Sequence, residues 1–315
     1  MTIESRDPLR LLVVGAGRMG RVHLGAIEAS HATTVAVVEP SPETRAQLEG
    51  SGSRLYGELD AALVEGGFDA ALVAVPSGLH LGVVDSLLGA GVPTLCEKPC
   101  GLTTDDTAEA ARRARDTDVL LQVGYWRRFV PELRALRDEI ASGKLGAIAL
   151  ALAWQWDGEP PEPHFRRSSG GILIDMGVHE FDQLRWLTGQ DISIDSVVES
   201  SVFVEPYVAD DAESVMVSGR FSGGGVASVS LGRRYDRGDS CWVEVIGTLG
   251  SRRCEFMVGP EGEEVFQRAL VAQIDAFAAA VGGEVPEGAS ADDAVAALAI
   301  AERGACLETP DTHQG

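Results

Sequence analysis

Residues 9–20 read LRLLVVGAGRMG, a short apolar run followed at once by Gly15, Gly17 and Gly20. The run Leu9–Val14 predicts a buried strand, and the glycines open a helical pattern. Gly15 permits a tight turn, Gly17 lets the backbone approach a diphosphate, and Gly20 lets helix and strand pack closely. This context predicts a nucleotide site at the helix N-terminus, with a Gly-rich turn that binds nothing as the alternative.

The first third of the chain alternates short apolar runs with helical patterns. After Leu9–Val14, the predicted strands are Val35–Val38, Ala70–Val75, Pro93–Cys96 and Val119–Val123. Helices between strands imply parallel pairing through right-handed crossovers, and the apolar character of the strands fits a sheet covered on both faces. Residues 1–124 are therefore predicted to form a doubly wound Rossmann domain of the α/β class.

The pattern changes after Gly124, where strands follow one another with short Gly-rich turns. The predicted strands are Ala147–Trp156, Ile194–Val204, Glu213–Phe221, Val226–Leu231, Cys241–Ile246 and Arg252–Met257. The predicted helices are Pro131–Ser142, Gly177–Leu187, Val265–Val281 and Ala291–Cys306. Residues 125–289 are predicted to form an α+β domain with a large, mostly antiparallel sheet, for substrate binding and oligomerisation. The helix at about 290–306 is expected to pack back on the first domain.

Composition excludes several classes of partner. The formal charge of −22 disfavours nucleic acids and anionic membrane surfaces, which bind to positive faces. No apolar run approaches the roughly 20 residues of a membrane span, so a cytoplasmic location is expected. The five cysteines are an odd number without C-x-x-C spacing, which predicts free thiols and no metal site.

Glu39 ends the second predicted strand. A carboxylate there can accept hydrogen bonds from both hydroxyls of an adenosine ribose, and it repels a 2′-phosphate. This position predicts NAD as the cofactor. Arg45, about one helical turn further on, leaves NADP open, and a solvated acid at the strand end is the alternative reading of Glu39.

Lys98 is one of only two lysines among 26 basic residues. It lies in Cys96-Glu97-Lys98-Pro99, after the strand Pro93–Cys96, at the edge where ligands of doubly wound sheets bind. A lysine there can donate to a substrate hydroxyl and lower its pKa. The alternative is a surface lysine in a turn.

A third group of candidates lies between Gly170 and Asp182. If a helix begins near Asp175, then Asp175, His179 and Asp182 share one stripe. His179 can accept the proton released when an alcohol is oxidised, and Asp175 can orient it or hold a hydroxyl. The alternative is an N-cap, a buried histidine and a solvated acid.

Taken in chain order, four motifs resemble those of the Gfo/Idh/MocA oxidoreductase family, and within it those of inositol 2-dehydrogenases. They are G-x-G-x-x-G, Ala74-Val-Pro76-Ser77-x-x-His80, Glu97-Lys98-Pro99, and Gly171-x-x-x-Asp175-x-Gly177-x-His179-x-x-Asp182. Arg127-Arg128-Phe129 and Trp156-Asp157 add to the likeness, which spans nearly the whole chain.

The resemblance implies oxidation of a secondary hydroxyl of a cyclitol or sugar, without a metal. It assigns Lys98, Asp175 and His179 as catalytic residues, with His179 as base and Lys98 polarising the hydroxyl. The expected substrate contacts are these three with Arg127, Trp156 and Asp157. The expected cofactor contacts are Gly15, Gly17, Arg18, Met19, Gly20, Glu39, Pro76, Ser77, His80, Glu97 and Lys98.

Several alternatives stay open. Trp154 and Trp156 share a strand face and are either a platform for a sugar ring or core. The loop with His164, Arg166 and Arg167 either covers the substrate or engages a neighbouring subunit, with a solvated loop as the simpler reading. An arginine-rich loop also fits a ketoreductase of nucleotide-linked keto sugars. The family also includes NAD-recycling glycosidases, and a cofactor-binding regulator is a fourth reading. The resemblance further implies dimers or tetramers formed through the C-terminal sheet.

Overall fold

The computed structural model describes residues 7–167, 169–202 and 211–307, which fall into two compact units. Unit 1 contains the described residues up to Gly101 together with Asp105–Tyr125 and Leu270–Asp292. Unit 2 contains Leu102–Thr104, Trp126–Ala269 and the described residues from Asp293 onward.

The strands and helices are numbered in chain order. The strands are β1 Leu9–Val14, β2 Ala32–Val38, β3 Arg54–Tyr56, β4 Ala70–Val73, β5 Thr94–Cys96, β6 Leu121–Val123, β7 Ile148–Trp156, β8 Ile192–Ser200, β9 Ser214–Phe221, β10 Val226–Gly232, β11 Ser240–Gly247, β12 Ser251–Val258 and β13 Ala289–Ser290. The α-helices are α1 Arg18–Glu28, α2 Pro42–Ala46, α3 Leu59–Glu65, α4 His80–Gly89, α5 Thr104–Thr117, α6 Pro131–Ala141, α7 Pro163–Arg166, α8 Val178–Thr188, α9 Gly259–Val281 and α10 Ala291–Ala305.

Unit 1 is built on one sheet with the strand order β13-β6-β5-β4-β1-β2-β3. The neighbours from β6 to β3 pair in parallel, and β13 joins β6 antiparallel. The central strands β1 and β4 are buried almost throughout, because helices cover both faces of a parallel sheet. The predicted doubly wound sheet is confirmed. The sequence analysis missed β3, β13 and α3, which are too short to show a periodicity.

Unit 2 contains a sheet with the order β12-β11-β7-β10-β9-β8. All of its pairs are antiparallel except β7 with β10, so the prediction of a mostly antiparallel sheet is confirmed. Ala153, Val217, Val229 and Val243 point to the buried face, as strand alternation requires. This face carries the core of the unit.

The opposite face of the unit 2 sheet carries an apolar row. Val198, Met216, Ser230, Trp154 and Trp242 are paired in register across five strands and therefore share this face. Val198 is 63% exposed and Met216 is 48% exposed. The Trp154 ring stacks on Trp242 with centroids 5.7 Å apart. Exposed apolar side chains grouped in one row are a feature of protein interaction sites.

The last helix, α10, belongs almost entirely to unit 2, and the expectation that it packs back on residues 1–124 stays a prediction. Gly304 lies against Leu173 and Val197, and Glu302 accepts hydrogen bonds from the backbone and hydroxyl of Thr104. Leu270–Asp292 instead joins unit 1. Helical periodicity shows that one face of α10 is buried, but it does not say against what.

Asp182 anchors α8 through a buried ion pair. Arg128 donates to both carboxylate oxygens of Asp182, at 3.0 and 2.5 Å, and also to Asp293 at 3.2 Å. Burial raises the pKa of Asp182, although Arg128 opposes the shift. Asp182 is thus a buried partner of Arg128, and the reading of it as a solvated acid was wrong.

None of the helices in the described ranges combines the length and the hydropathy of a membrane-spanning segment.

We predict that Arg128→Met lowers the free energy of unfolding by about 3–5 kcal/mol, because it leaves the Asp182 carboxylate buried without its cation. The double variant Arg128→Met/Asp182→Leu should recover most of this loss. Urea unfolding followed by tryptophan fluorescence measures both. Arg185→Met is the control, since its partner Asp191 is exposed and such pairs contribute about 1 kcal/mol or less. A loss for Arg128→Met no larger than the control's would contradict the prediction.

Candidate active site

The glycine turn between β1 and α1 is built as its spacing predicts. Gly15 has φ of 95°, and a Cβ there would lie 2.7 Å from the carbonyl oxygen of Ala74. A Cβ on Gly20 would lie 2.1 Å from the carbonyl oxygen of Gly15. At Gly17, the N-cap of α1, no described atom lies within 4 Å of an added Cβ. The first turn of α1 contains no acidic residue, so its amides suit an anionic group such as a diphosphate.

Glu39 is buried at the end of β2, beside this turn. One carboxylate oxygen accepts from the Ala16 amide and the other from the Ser41 amide, each at 2.9 Å. Each oxygen keeps a further lone pair, so the carboxylate can still accept from ribose hydroxyls. Arg45 donates to the carbonyl oxygens of Glu39 and Pro40 and is thereby committed to the backbone. This geometry fits an adenosine ribose without a 2′-phosphate.

The remaining predicted cofactor residues of unit 1 also come directly after parallel strands. Arg18 and Met19 form the first turn of α1, Pro76 and Ser77 follow β4, and Glu97 and Lys98 follow β5. Because β5, β4, β1 and β2 are parallel neighbours, these residues and Glu39 all lie at one edge of the sheet. The residues present fit NAD.

His80 departs from the prediction that it contacts the cofactor. Its ring is buried, with Nδ1 2.6 Å from the carbonyl oxygen of Pro99 and Nε2 2.9 Å from that of Val75. Both ring nitrogens therefore face backbone carbonyls. His80 ties the segment after β4 to the segment after β5, where Ser77 and Lys98 lie.

Glu97 supports Lys98 from its own segment. Its carboxylate lies 2.6 Å from Nε2 of His23 and accepts from the Lys98 amide at 3.1 Å. Burial works against its ionisation, but the hydrogen bond from His23 and the nearby charges of His23 and Lys98 bring the pKa of Glu97 below its ordinary value. Glu97 thus keeps a negative charge beside Lys98.

In unit 2, Asp175 lies in a π-helical turn, Leu173–Gly177, that leads directly into α8. Gly170 and Gly171, with φ of 83° and 85°, precede this turn. His179 lies in the first turn of α8 and is buried. The wider turn replaces the predicted continuous α-helix from Asp175, and π-turns of this kind are frequent at functional sites.

Asp157, just after β7, shares an electrostatic environment with Asp175. Burial, together with the charges of Asp239 and Asp175, raises the pKa of Asp157 to about 6, although Gln155 and Arg233 oppose the shift. Asp239 also accepts from the Gly158 amide at 2.7 Å. Unit 2 therefore brings together two of the predicted substrate residues, Asp157 and Asp175.

A cavity of about 670 Å³ lies along the segment that follows Asp157 in the chain. It is lined by the proline-rich segment 158–163 and by Arg234, Tyr235 and Asp236. Volumes of 300–1,000 Å³ are typical of small-molecule sites. The segment that follows Asp157 therefore borders a space large enough for a sugar-sized ligand.

The side chain of Arg127 is engaged in contacts within unit 2. It is buried, forms an ion pair with Glu180, and donates to Gln155 Oε1 at 2.8 Å. Gln155 in turn hydrogen-bonds Asp157. The structure thus corrects direct contact to an indirect one, in which Arg127 holds Gln155 against Asp157.

Trp156 stacks on Trp154 with ring centroids 5.1 Å apart, on the sheet face opposite Gln155. Its Nε1 donates to Ser230 Oγ at 3.0 Å. The prediction that the two tryptophans share a face is confirmed. Trp156 thus packs against a tryptophan of the apolar row, and its expected contact with a substrate stays a prediction.

Sequence reasoning missed Arg233 and Asp211, both buried in unit 2. Arg233 donates to Asp175 Oδ2 at 3.1 Å and also contacts Asp211. The paired arginines at the end of β10, Arg233 and Arg234, were the available signal. Arg166, read as part of a solvated or substrate-covering loop, is fully buried against Asp211 and Glu213.

Within the described ranges, no group of three or more His, Cys, Asp or Glu side chains is placed to hold a metal ion.

Comparison with known proteins gives the family. A model described as an oxidoreductase family with an NAD-binding Rossmann fold matches residues 9–125, and the GFO/IDH/MocA C-terminal domain model matches residues 133–253. The chain is 45% identical to the rhizopine catabolism protein MocA of Rhizobium meliloti, over 97% of this chain and 96% of the relative. It is 28% identical to an inositol 2-dehydrogenase of Rhizobium meliloti strain 1021, over 93% and 95%.

Among solved structures, scyllo-inositol dehydrogenase from Lactobacillus casei superposes with a TM-score of 0.87 at 23% identity, covering 94% of this chain and 96% of that one. At this identity the likeness concerns the fold. The family models and the MocA relative, together with the glycine turn and Glu39, lead to one conclusion: the chain belongs to the GFO/IDH/MocA oxidoreductase family and is an NAD-dependent dehydrogenase acting on CH–OH groups.

Proposed function

We propose that this protein oxidises a secondary hydroxyl of a cyclic polyol of the inositol type to the ketone. The observation that carries the proposal is the electrostatic coupling of two partly buried carboxylates of unit 2, Asp157 and Asp175, since carboxylates are the acceptors that read adjacent hydroxyls. Two relatives support the same substrate class, because one is named an inositol 2-dehydrogenase and another a myo-inositol dehydrogenase.

In the proposed mechanism, Lys98, Asp175 and His179 act on the reacting hydroxyl. Bound NAD supplies a hydride acceptor at the nicotinamide ring. The Lys98 ammonium donates to the hydroxyl oxygen and stabilises negative charge that develops there. His179 accepts the hydroxyl proton, since its unperturbed pKa lies near neutrality. Asp175 orients the substrate and His179, and Asp157 accepts from a neighbouring hydroxyl.

Formation of NADH, followed by its absorbance, tests the proposal over myo-, scyllo- and chiro-inositol, rhizopine, glucose and other pyranoses. Saturable NADH formation with one cyclitol is the expected result. Turnover with none of them, while NAD still binds, overturns the proposal. Reduction of a nucleotide-linked keto sugar, or sugar release without net NADH, would then identify a ketoreductase or a glycosidase.

We predict that Lys98→Ala and His179→Ala each lower kcat by about 10²–10⁴-fold, because each removes a group that transfers or stabilises charge at the reacting oxygen. Binding of NAD, measured by calorimetry, should persist. The matched controls are Lys144→Ala, the only other lysine, and His31→Ala; both side chains are exposed. Turnover within twofold of the wild type in either test variant would remove that residue from the mechanism.

We predict that kcat/KM for the polyol falls as the pH drops through about 6, where Asp157 takes up a proton and no longer serves as a full acceptor. Asp239→Asn removes a negative charge that raises the pKa of Asp157, so this acid limb should move to lower pH. Asn keeps an oxygen that can accept from the Gly158 amide. Asp195→Asn, an exposed acid on β8, is the control. An acid limb at the same pH in Asp239→Asn and wild type would contradict the assignment.

We also propose that the apolar row of the unit 2 sheet, defined above from Val198 to Trp242, is an interface between copies of this chain. Its exposed apolar side chains lie on one nearly flat surface, which suits burial against an identical surface.

The expected result is a dimer or tetramer by analytical ultracentrifugation, converted to a monomer by Val198→Glu/Met216→Glu. Charges at these positions cannot be buried against a second apolar row. Val64→Glu on α3 is the control, because Val64 is an exposed apolar residue of unit 1. A wild-type protein that sediments only as a monomer removes this proposal.

A further inference from the structure

We propose that Arg233 is a positioning residue for Asp175, which it holds in the orientation that the reaction uses. The inference rests on the function proposed above, in which Asp175 acts at the substrate. It adds to that function a residue that does not itself touch substrate or cofactor.

The contacts of Arg233 define its role. Its side chain is 0% exposed, and Nη1 donates to Asp175 Oδ2 at 3.1 Å. The other edge of the same guanidinium contacts Asp211, with Nε 3.0 Å from Oδ2 and Nη2 3.1 Å from Oδ1. Because the guanidinium is planar and rigid, fixing one edge on Asp211 fixes the direction in which Nη1 meets Asp175.

Asp211 is itself held from a second side. Arg166, fully buried, donates through Nε to Asp211 Oδ2 at 2.5 Å and through Nη2 to the Asp211 carbonyl oxygen at 3.1 Å. Arg166 also donates to Glu213 at 2.8 Å, and Glu213 lies 3.4 Å from Arg234 Nε. The support behind Arg233 is thus a connected network, and Asp175 is its outermost carboxylate.

Opposite charges alternate through this network. Among the described residues, the guanidinium groups of Arg166, Arg233 and Arg234 meet the carboxylates of Asp211, Glu213 and Asp175. Buried ions are tolerated when they are paired and hydrogen-bonded in this way. Turning Asp175 away would leave Arg233 without one of the two carboxylates it contacts, so the network favours one orientation of the Asp175 carboxylate.

Asp175 also faces groups on other elements. Asp157, at the end of β7, repels it, and Arg233, at the end of β10, attracts it. His179 follows one turn later in the chain. Arg233 attracts both carboxylates and so offsets their mutual repulsion, and without it Asp175 would tend to turn away from Asp157. Arg233 therefore keeps both carboxylates usable in one site.

A lysine cannot replace this arginine. Its single ammonium is a point charge and cannot span Asp211 and Asp175 with fixed geometry, although it keeps the positive charge. Arg233→Lys therefore separates geometry from charge. Arg128→Lys is the matched control, because Arg128 is also a buried arginine of unit 2 that bridges two carboxylates, Asp182 and Asp293, and neither of these is assigned to the substrate.

The experiment measures kcat, KM for the polyol and the dissociation constant for NAD in wild type, Arg233→Lys and Arg128→Lys. We expect Arg233→Lys to lower kcat roughly 10²-fold, the scale on which small displacements of a catalytic group act. The dissociation constant for NAD should stay within twofold of the wild type. Arg128→Lys should keep kcat within threefold of the wild type. Equal kcat losses in the two lysine variants would overturn the inference.

Double-variant kinetics separate positioning from general structural support. If Arg233 acts through Asp175, then Arg233→Lys added to Asp175→Asn causes no further loss of kcat beyond twofold. Fully multiplicative losses would overturn the inference. If Arg233→Lys does not fold, Asp211→Asn replaces it, since it weakens the opposite anchor of the same guanidinium and should lower kcat in the same way.

A wild-type protein that oxidises no polyol removes the proposed function, and this inference with it. A wild type that is active while Arg233→Lys matches Arg128→Lys removes the inference alone.

Discussion

Parallel pairing of β1 with β2 and β4 is the constraint on which the cofactor site depends. It places the carboxyl ends of neighbouring strands at one edge, so the turn after β1, Glu39 after β2 and Ser77 after β4 come together without contacts among their side chains. Steric limits then explain why glycines occupy this turn. A Cβ at Gly15 or Gly20 would overlap backbone atoms, whereas Gly17 leaves the helix amides open. NAD binding thus follows from strand order and three small residues.

Unit 2 differs from the cofactor site, because its candidate substrate groups are charged and partly desolvated. The protein holds them with arginines whose charges are buried and shared. Arg127 holds Gln155 against Asp157, and Arg233 holds Asp175. Such pairs add little net stability over apolar packing, but they define direction closely. Their value here is orientation, which a site that distinguishes one hydroxyl of a polyol from the next requires.

The tertiary contacts change the interpretation of several residues. Asp182 shares a helix with His179 but pairs with Arg128, and His80 binds two backbone carbonyls. Trp156 and Asp157 are adjacent in the chain, yet Trp156 joins the aromatic stack on the sheet face opposite Gln155. Partners such as Arg128 lie far away in the chain, where local periodicity carries no information.

The sequence by itself determined the α/β class, the two kinds of sheet, the glycine turn with Glu39 and the family, because these depend on local spacing and on strand and helix periods. Only the tertiary structure decided that α10 joins unit 2, that Asp175 lies in a π-turn, and that Arg233 bridges Asp175 and Asp211. These features arise from buried charges that must find partners across the fold, and from apolar helix faces that fit more than one surface.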